Sequence, residues 1–330
     1  MAVKRLIAAL RAPESVVGLD AADWTALICV ARNEQLVGSL AHRVEGQPVP
    51  PQVVAILEDA RRTTAQAQVH ALWEAEMAHR ALAPEGIPLI LLKGTAFAAA
   101  GLVAGEGRFI GDLDIIVPRD QLGRVEQVLL GNGWEWLKPD PYDDAYYRQW
   151  MHELPPLIHN QRGRMIDVHH TILPPTARPT PDAAAMIADS VALENGMRVF
   201  APNDMIVHAA AHLFADGDLA GGLRNLWDID RLLRQFGSDG LLDRARHHQL
   251  LPAVTRALRL SAHLYGTPVA IGGLTLADRW FVRRLLARDD WGRQSRKLTR
   301  LAFYIRSHWM RMPPLMLARH LWIKLQRGAD

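Results

Sequence analysis

Three aspartates are the residues whose types and spacing best suit chemistry. Asp112 and Asp114 stand two apart in Gly111-Asp112-Leu113-Asp114-Ile115-Ile116-Val117, and Asp167 lies in Met165-Ile166-Asp167-Val168-His169. Side chains two apart on a strand share a face. In an extended segment the first two carboxylates therefore stand side by side while Leu113 points the other way. Such a pair suits a divalent metal better than a core. With a third carboxylate from a neighbouring strand, the set could hold two Mg²⁺ ions about 3.5–4 Å apart, with Mn²⁺ able to replace them, for in-line transfer at phosphorus. Asp167 would hold one ion and help deprotonate an acceptor hydroxyl. An Asp-x-Asp alone reads more readily as a solvated strand end.

The neighbours shift that balance. Lys93-Gly94-Thr95 follows the apolar run Leu89–Leu92. Gly94 lets the backbone approach a phosphate closely. Thr95 opens a helix whose N-terminal N–H groups suit an anion, and Lys93 adds positive charge. Arg108 lies four residues before Asp112. Each has a plain alternative: a surface lysine, a turn glycine, an arginine that neutralises Asp112. Together Lys93, Gly94, Thr95 and Arg108 read as the nucleotide-binding half of a corner whose metal half is Asp112, Asp114 and Asp167.

Other polar residues are weaker candidates. His169 shares a face with Asp167 and is a candidate cleft residue. His208 and His212 are one helical turn apart with only Ala209-Ala210-Ala211 between them, not the H-E-x-x-H of a zinc helix. A core or interface pair is the preferred reading; the alternative puts His212 in the cleft with Arg224 and Asp228. His152-Glu153 reads as a solvated loop end before a hairpin, and His247-His248 as a solvated helix end. Trp227, Trp280, Trp291, Trp309 and Trp322 read as core residues, with base stacking as the alternative.

These residues need a frame. Residues 1–84 read as helical, with Asp20 capping Ala21–Arg32 and a long Ala-rich helix from Gln52 to about Leu82. Residues 85–175 read as strand, helix (Ala96–Ala104), strand (Arg108–Val117), helix (Arg119–Leu130), then a strand near Trp134–Leu137. A loop over Lys138–Tyr147 and a hairpin about Asn160-Gln161-Arg162-Gly163 complete this α/β unit. Residues 176–330 read as helical throughout, starting with Asp182–Ser190 and ending with Leu315–Gln326.

Composition bounds the rest. With 49% hydrophobic and 22% charged residues over 330 positions, the chain suits a globular protein of two or three modest domains. No apolar run is long enough for a membrane span, and Met1–Leu10 is too short an apolar run for a signal peptide. The single cysteine, Cys29, permits neither a disulfide nor a Cys-based metal site, and a reducing cytoplasm is the simple reading. Net charge is +3, but Asp278–Asp330 carries 13 Lys/Arg against 4 Asp/Glu, a local +9. This basic C-terminal region reads as solvated helical faces or, alternatively, as a nucleic-acid surface.

Leu91-Leu92-Lys93-Gly94-Thr95, Arg108, Gly111-Asp112-Leu113-Asp114 and Ile166-Asp167-Val168-His169-His170 together resemble the uncharacterised bacterial nucleotidyltransferase family of the DNA polymerase beta-type superfamily. The stretch is also similar to abortive-infection toxin nucleotidyltransferases, with their K-G-G-T, R and D-x-D pattern. Where the superfamily has Gly-Ser or Gly-Gly, this chain has Gly94-Thr95, and its spacer to Asp112 is longer; both features fit the branch with Lys before Gly. The resemblance covers roughly residues 85–175, and more loosely Pro202-Asn203-Asp204 with His208 and His212, and Leu226-Trp227-Asp228-Ile229. It implies an α+β fold: a small mixed-sheet polymerase beta-like core at 85–175, flanked by N-terminal helices (1–84) and a C-terminal all-helical domain (176–330). The implied activity is Mg²⁺-dependent transfer of NMP from an NTP to a hydroxyl of a small molecule, protein or tRNA, releasing pyrophosphate. The alternatives are a toxin-like tRNA nucleotidyltransferase and a non-catalytic nucleotide-binding or scaffold protein.

Overall fold

A computed structural model describes residues 1–137 and 141–311. Helices α1 (Ala2–Arg11), α2 (Ala21–Asn33), α3 (Val37–Arg43) and α4 (Pro51–Leu82) open the chain. Asp20 caps α2 as expected, accepting from the Asp23 amide at 2.8 Å. The buried residues of α4 step by four and three: Val53, Leu57, Ala60, Thr64, Ala67, Ala71, Ala75, Ala78 and Leu82. That spacing keeps one face turned inward over the helix's whole length, and the alanines let it lie close to its neighbours.

Next come β1 (Ile90–Leu91), α5 (Lys93–Ala99), β2 (Leu113–Ile116), α6 (Leu122–Gly131), β3 (Trp134–Trp136) and α7 (Pro141–Trp150). They are followed by β4 (Leu157–His159), β5 (Met165–His169), α8 (Ala183–Ala188), β6 (Val191–Ala192) and β7 (Arg198–Val199). Helices α9 (Pro202–Ala211), α10 (Gly222–Phe236), α11 (Leu241–His247), α12 (Leu251–Tyr265), α13 (Leu276–Leu285) and α14 (Lys297–Arg311) complete the described chain.

The strands form one mixed sheet in the order β3-β4-β5-β2-β1-β7-β6. β2 lies near its middle, antiparallel to β1 and parallel to β5. Every residue of β2 is buried, which accounts for the unbroken run Ile115-Ile116-Val117. The long helix α4 also pins the sheet's outer half. Its buried Glu74 accepts from Arg162 in the β4–β5 turn at 2.6 Å, and the Arg162 guanidinium lies over Trp134.

Several expectations need correction. The segment from 176 onward is not all-helical, because β6 and β7 join the sheet beside β1. They are two residues each, too short to show periodicity. The second strand starts at Leu113 and not at Arg108. The stretch before it is held by other contacts: Gln68 of α4 donates to the carbonyls of Gly105 (2.6 Å) and Arg108 (3.0 Å). Gly107, at φ +61°, abuts Gly38 so closely that a Cβ would fall 2.3 Å from the Gly38 carbonyl carbon. The helix after β1 is shorter than Ala96–Ala104 and begins at Lys93. The expected loop Lys138–Tyr147 is in its described part the start of α7. Leu315–Gln326 and Trp322 lie outside the described residues.

Candidate active site

In the parallel pairing of β2 with β5, Asp114 stands directly opposite Asp167. Residues opposite one another in register share a face of the sheet. Asp112 immediately precedes β2, two residues from Asp114. Asp114 is buried, and Asp112 and Asp167 are half-buried. Two adjacent strands therefore bring three carboxylates to one corner.

Few charges balance them. The Lys93 ammonium donates to Asp114 Oδ1 at 2.6 Å, and His169 Nε2 lies 3.1 Å from the same oxygen. Burial alone would raise the Asp114 carboxyl, but Lys93 and His169 outweigh it and hold this group far below the usual carboxylate range. Burial likewise opposes the Lys93 charge, but Asp114 outweighs it and raises the ammonium above its ordinary value. The other two acids are left short of partners. Asp112 is raised by burial and by Asp114. Asp167 is pushed up to about 7 by burial and by the neighbouring charges of Asp114 and Asp112, with Lys93 offsetting only part. Two acids raised by burial and by the charge of Asp114 mark a corner that a cation would relieve. Their all-oxygen donor set fits a hard divalent ion.

Lys93 sits at φ +49°, in the left-handed region that a lysine rarely adopts. The turn aims its side chain back at Asp114. At Gly94 the protein itself comes close: a Cβ there would lie 2.5 Å from Arg108 Nε. Arg108 runs along this turn to its ion-pair partner Asp228 of α10, and its charge also offsets part of the rise at Asp112. Arg224 shares the same acid, its Nε 3.0 Å from Asp228 Oδ1, and its other arm donates to Ser39 Oγ at 2.7 Å. Thr95 is buried inside the first turn of α5.

Between the sheet corner and α10 lies a cleft of about 670 Å³. Lys93, Arg108, Asp112, Asp114, His212 and Arg224 all border it. His212 is thus a cleft residue. His208 is buried edge-on to Phe200, as a core histidine would be. Asp228 borders a small adjoining apolar pocket floored by Phe97 and Phe200.

Sequence reasoning undervalued some residues. His152 and Glu153 are not a solvated loop end: His152 is buried, and Glu153 forms a backbone bridge to His169. The extended run Leu154–His159 beside them was the available signal. Ser39, Gln68 and Asn225 reach the site from distant helices, and no local pattern marks them. Of the tryptophans expected in the core, Trp227 is buried, whereas Trp280, Trp291 and Trp309 are exposed.

The uncharacterised nucleotidyltransferase family matches residues 20–266 of this chain, three-quarters of its length. The chain belongs to that family. Membership makes it a transferase by family and NMP transfer its general chemistry. No curated protein matches it. The crystal structure of JHP933 from Helicobacter pylori is similar over 78% of this nucleotidyltransferase-family chain and 97% of its own, at 15% identity and a TM-score of 0.32. Among the described residues, no helix is long and apolar enough to cross a membrane.

Proposed function

We propose that the chain is a Mg²⁺-dependent nucleotidyltransferase with a polymerase beta-like core. In this reading an acceptor hydroxyl attacks the α-phosphorus of an NTP and pyrophosphate leaves. The observation that carries it is the register of Asp114 against Asp167, with Asp112 two residues away and, among the described residues, direct contacts from Lys93 and His169 to Asp114 alone of the three carboxylates. Asp112 and Asp114 would hold two Mg²⁺ ions, or Mn²⁺ in their place, and Asp167 would share one. Bound there, the metal supplies charge neutralisation at the triphosphate.

The chain's own residues do the rest. Asp167 takes the acceptor's proton at its carboxylate oxygen. Lys93 turns from Asp114 to the triphosphate, and the Lys93–Gly94–Thr95 turn seats it. Arg108 and Arg224 carry one positive charge more than Asp228 cancels, which draws the polyphosphate to the far wall of the cleft. His169 holds Asp114 in place, and His212 faces the bound nucleotide. The same proposal divides the chain into a bracing helical segment (1–84), the catalytic core (85–175, its sheet continued by β6 and β7) and the helical domain that closes the cleft.

Pyrophosphate release tests it. With Mg²⁺, an NTP and a pool of acceptors that includes the protein itself and total tRNA, the wild-type protein should release pyrophosphate. The Asp112→Asn/Asp114→Asn protein should not. Equal release by both would reject the proposal. A second reading, tRNA as the acceptor, draws on exposed Trp280, Trp291 and Trp309 and on exposed Arg293, Arg296 and Lys297. It predicts salt-sensitive tRNA binding that weakens when Arg293, Arg296 and Arg300 are neutralised. Binding unchanged by that neutralisation would count against it.

A further inference from the structure

Beside Asp114, beyond its contact with His169, three potential metal ligands converge: His152, Glu153 and His169. One donor atom from each lies within 4.8 Å of the others. His169 Nδ1 is 3.5 Å from Glu153 Oε2, and His152 Nε2 is 3.9 Å from the same oxygen. These separations are long for direct hydrogen bonds. They approach the roughly 3.4 Å between donors around a tetrahedral ion with bonds of about 2.0–2.2 Å.

The backbone fixes the arrangement. Residues 152–154 pair with the end of β5: the His170 amide donates to the His152 carbonyl and the Leu154 amide to the Val168 carbonyl, both at 2.9 Å. Glu153 is thereby bridged to His169 across an antiparallel contact, and the two imidazole rings lie 5.2 Å apart between centroids. His152 and His169 are buried, while Glu153 is half-buried and leaves a route for an ion.

From this geometry we infer a second metal site, distinct from the three-aspartate centre, in which His152, Glu153 and His169 bind one Zn²⁺ or similar first-row transition ion. Two imidazoles and one carboxylate are the donor set of such ions, whereas Mg²⁺ takes oxygen. The fourth position is open to water. Among the described residues, the site makes its direct contact with the catalytic corner through His169. With Nδ1 on the ion, the ring keeps its proton on Nε2 and donates it to Asp114 Oδ1, the carboxylate–histidine–metal link that orients both partners. The role assigned is positional: the ion locks the His169 ring and through it the rotamer of Asp114.

Equilibrium binding of Co²⁺ and Zn²⁺ to untagged, metal-stripped protein tests the site without nucleotide and without any activity readout. Expected is one equivalent of Co²⁺ with the visible absorption of a four-coordinate N/O site, displaced by Zn²⁺ and not by millimolar Mg²⁺. Asp112→Asn/Asp167→Asn protein should keep that signal. Glu153→Gln or His152→Asn should weaken binding about 10–100-fold or more, with circular dichroism selecting the variant that stays folded. Absence of Co²⁺ and Zn²⁺ binding by the wild type overturns the inference. So does binding that survives in both ligand variants, or binding lost with Asp112→Asn/Asp167→Asn.

Discussion

The two walls of the cleft hold their charges in opposite ways. On the sheet side, Asp112, Asp114 and Asp167 share one lysine, and two of the three acids are raised by their neighbours. On the helical side a single acid, Asp228, is shared by two arginines, Arg108 and Arg224. The first wall has an excess of negative charge and the second an excess of positive charge. A buried charge persists only when it is paired or when something else supplies the partner. The helical wall finds its partners within the chain and ties Arg108, Ser39 and α10 together. Among the described residues the sheet wall has fewer of them, an imbalance that the cation of the proposed function would relieve, with the opposite wall facing the polyphosphate in that reading.

Breaking the sheet wall should have the largest effect on function. Asp112→Asn or Asp114→Asn removes metal-binding charge worth several kcal/mol of transition-state stabilisation, about 10³-fold in the rate of NTP turnover. Steady-state pyrophosphate release measures it. Breaking the helical wall should instead affect stability. Arg224 and Asp228 are both buried, so Arg224→Met leaves Asp228 with one partner and should cost about 3 kcal/mol in urea unfolding. Ordinary stability in that variant would mean the bridge holds nothing together.

The third prediction turns on pH. Asp167 is held near 7 in the folded chain against 3.8 as its reference value. The fold therefore favours the protonated acid. That stabilisation is fully present below about pH 4 and is lost as pH rises through 7, above which the native charge is a cost. Asp167→Asn should raise the melting temperature of metal-free protein at pH 8, and the gain should vanish by pH 4. Mg²⁺ should narrow the gap at pH 8 by stabilising the wild type. A gain that is constant with pH would show that the three acids do not repel one another. The smallest effect is expected at Gly94→Ala. The new methyl displaces the flexible Arg108 side chain, at about 1 kcal/mol or a fivefold rise in KM for the NTP.

The sheet wall was the more legible of the two. Asp114 and Asp167 lie on strands whose period of two fixes the face each one shows, Asp112 stands just before the first of them, and Lys93-Gly94 marks a strand end. The long helix α4 was legible for the same reason, since a repeated three-and-four spacing survives any tertiary context. The helical wall was not. Arg108 read as part of the nucleotide-binding half, with a place beside Asp112 as the plain alternative, and no local spacing shows that a turn anchored by Gln68 and Gly107 carries its side chain to Asp228, 120 residues away. Strands β6 and β7 escaped because two residues carry no period. Glu153 escaped because a lone acid before a hairpin resembles any solvated loop, and only the backbone bridge to His169 gives it a partner.

The most direct test uses one NTP labelled at the α-phosphorus and, separately, at the γ-phosphorus, with Mg²⁺ and the acceptor pool. Nucleotidyl transfer at the three-aspartate corner requires the α-label to move onto the acceptor and the γ-label to leave as pyrophosphate, both abolished in Asp112→Asn/Asp114→Asn protein. Transfer of the γ-label to the acceptor, or α-labelling that persists at the wild-type rate in that variant, would contradict it.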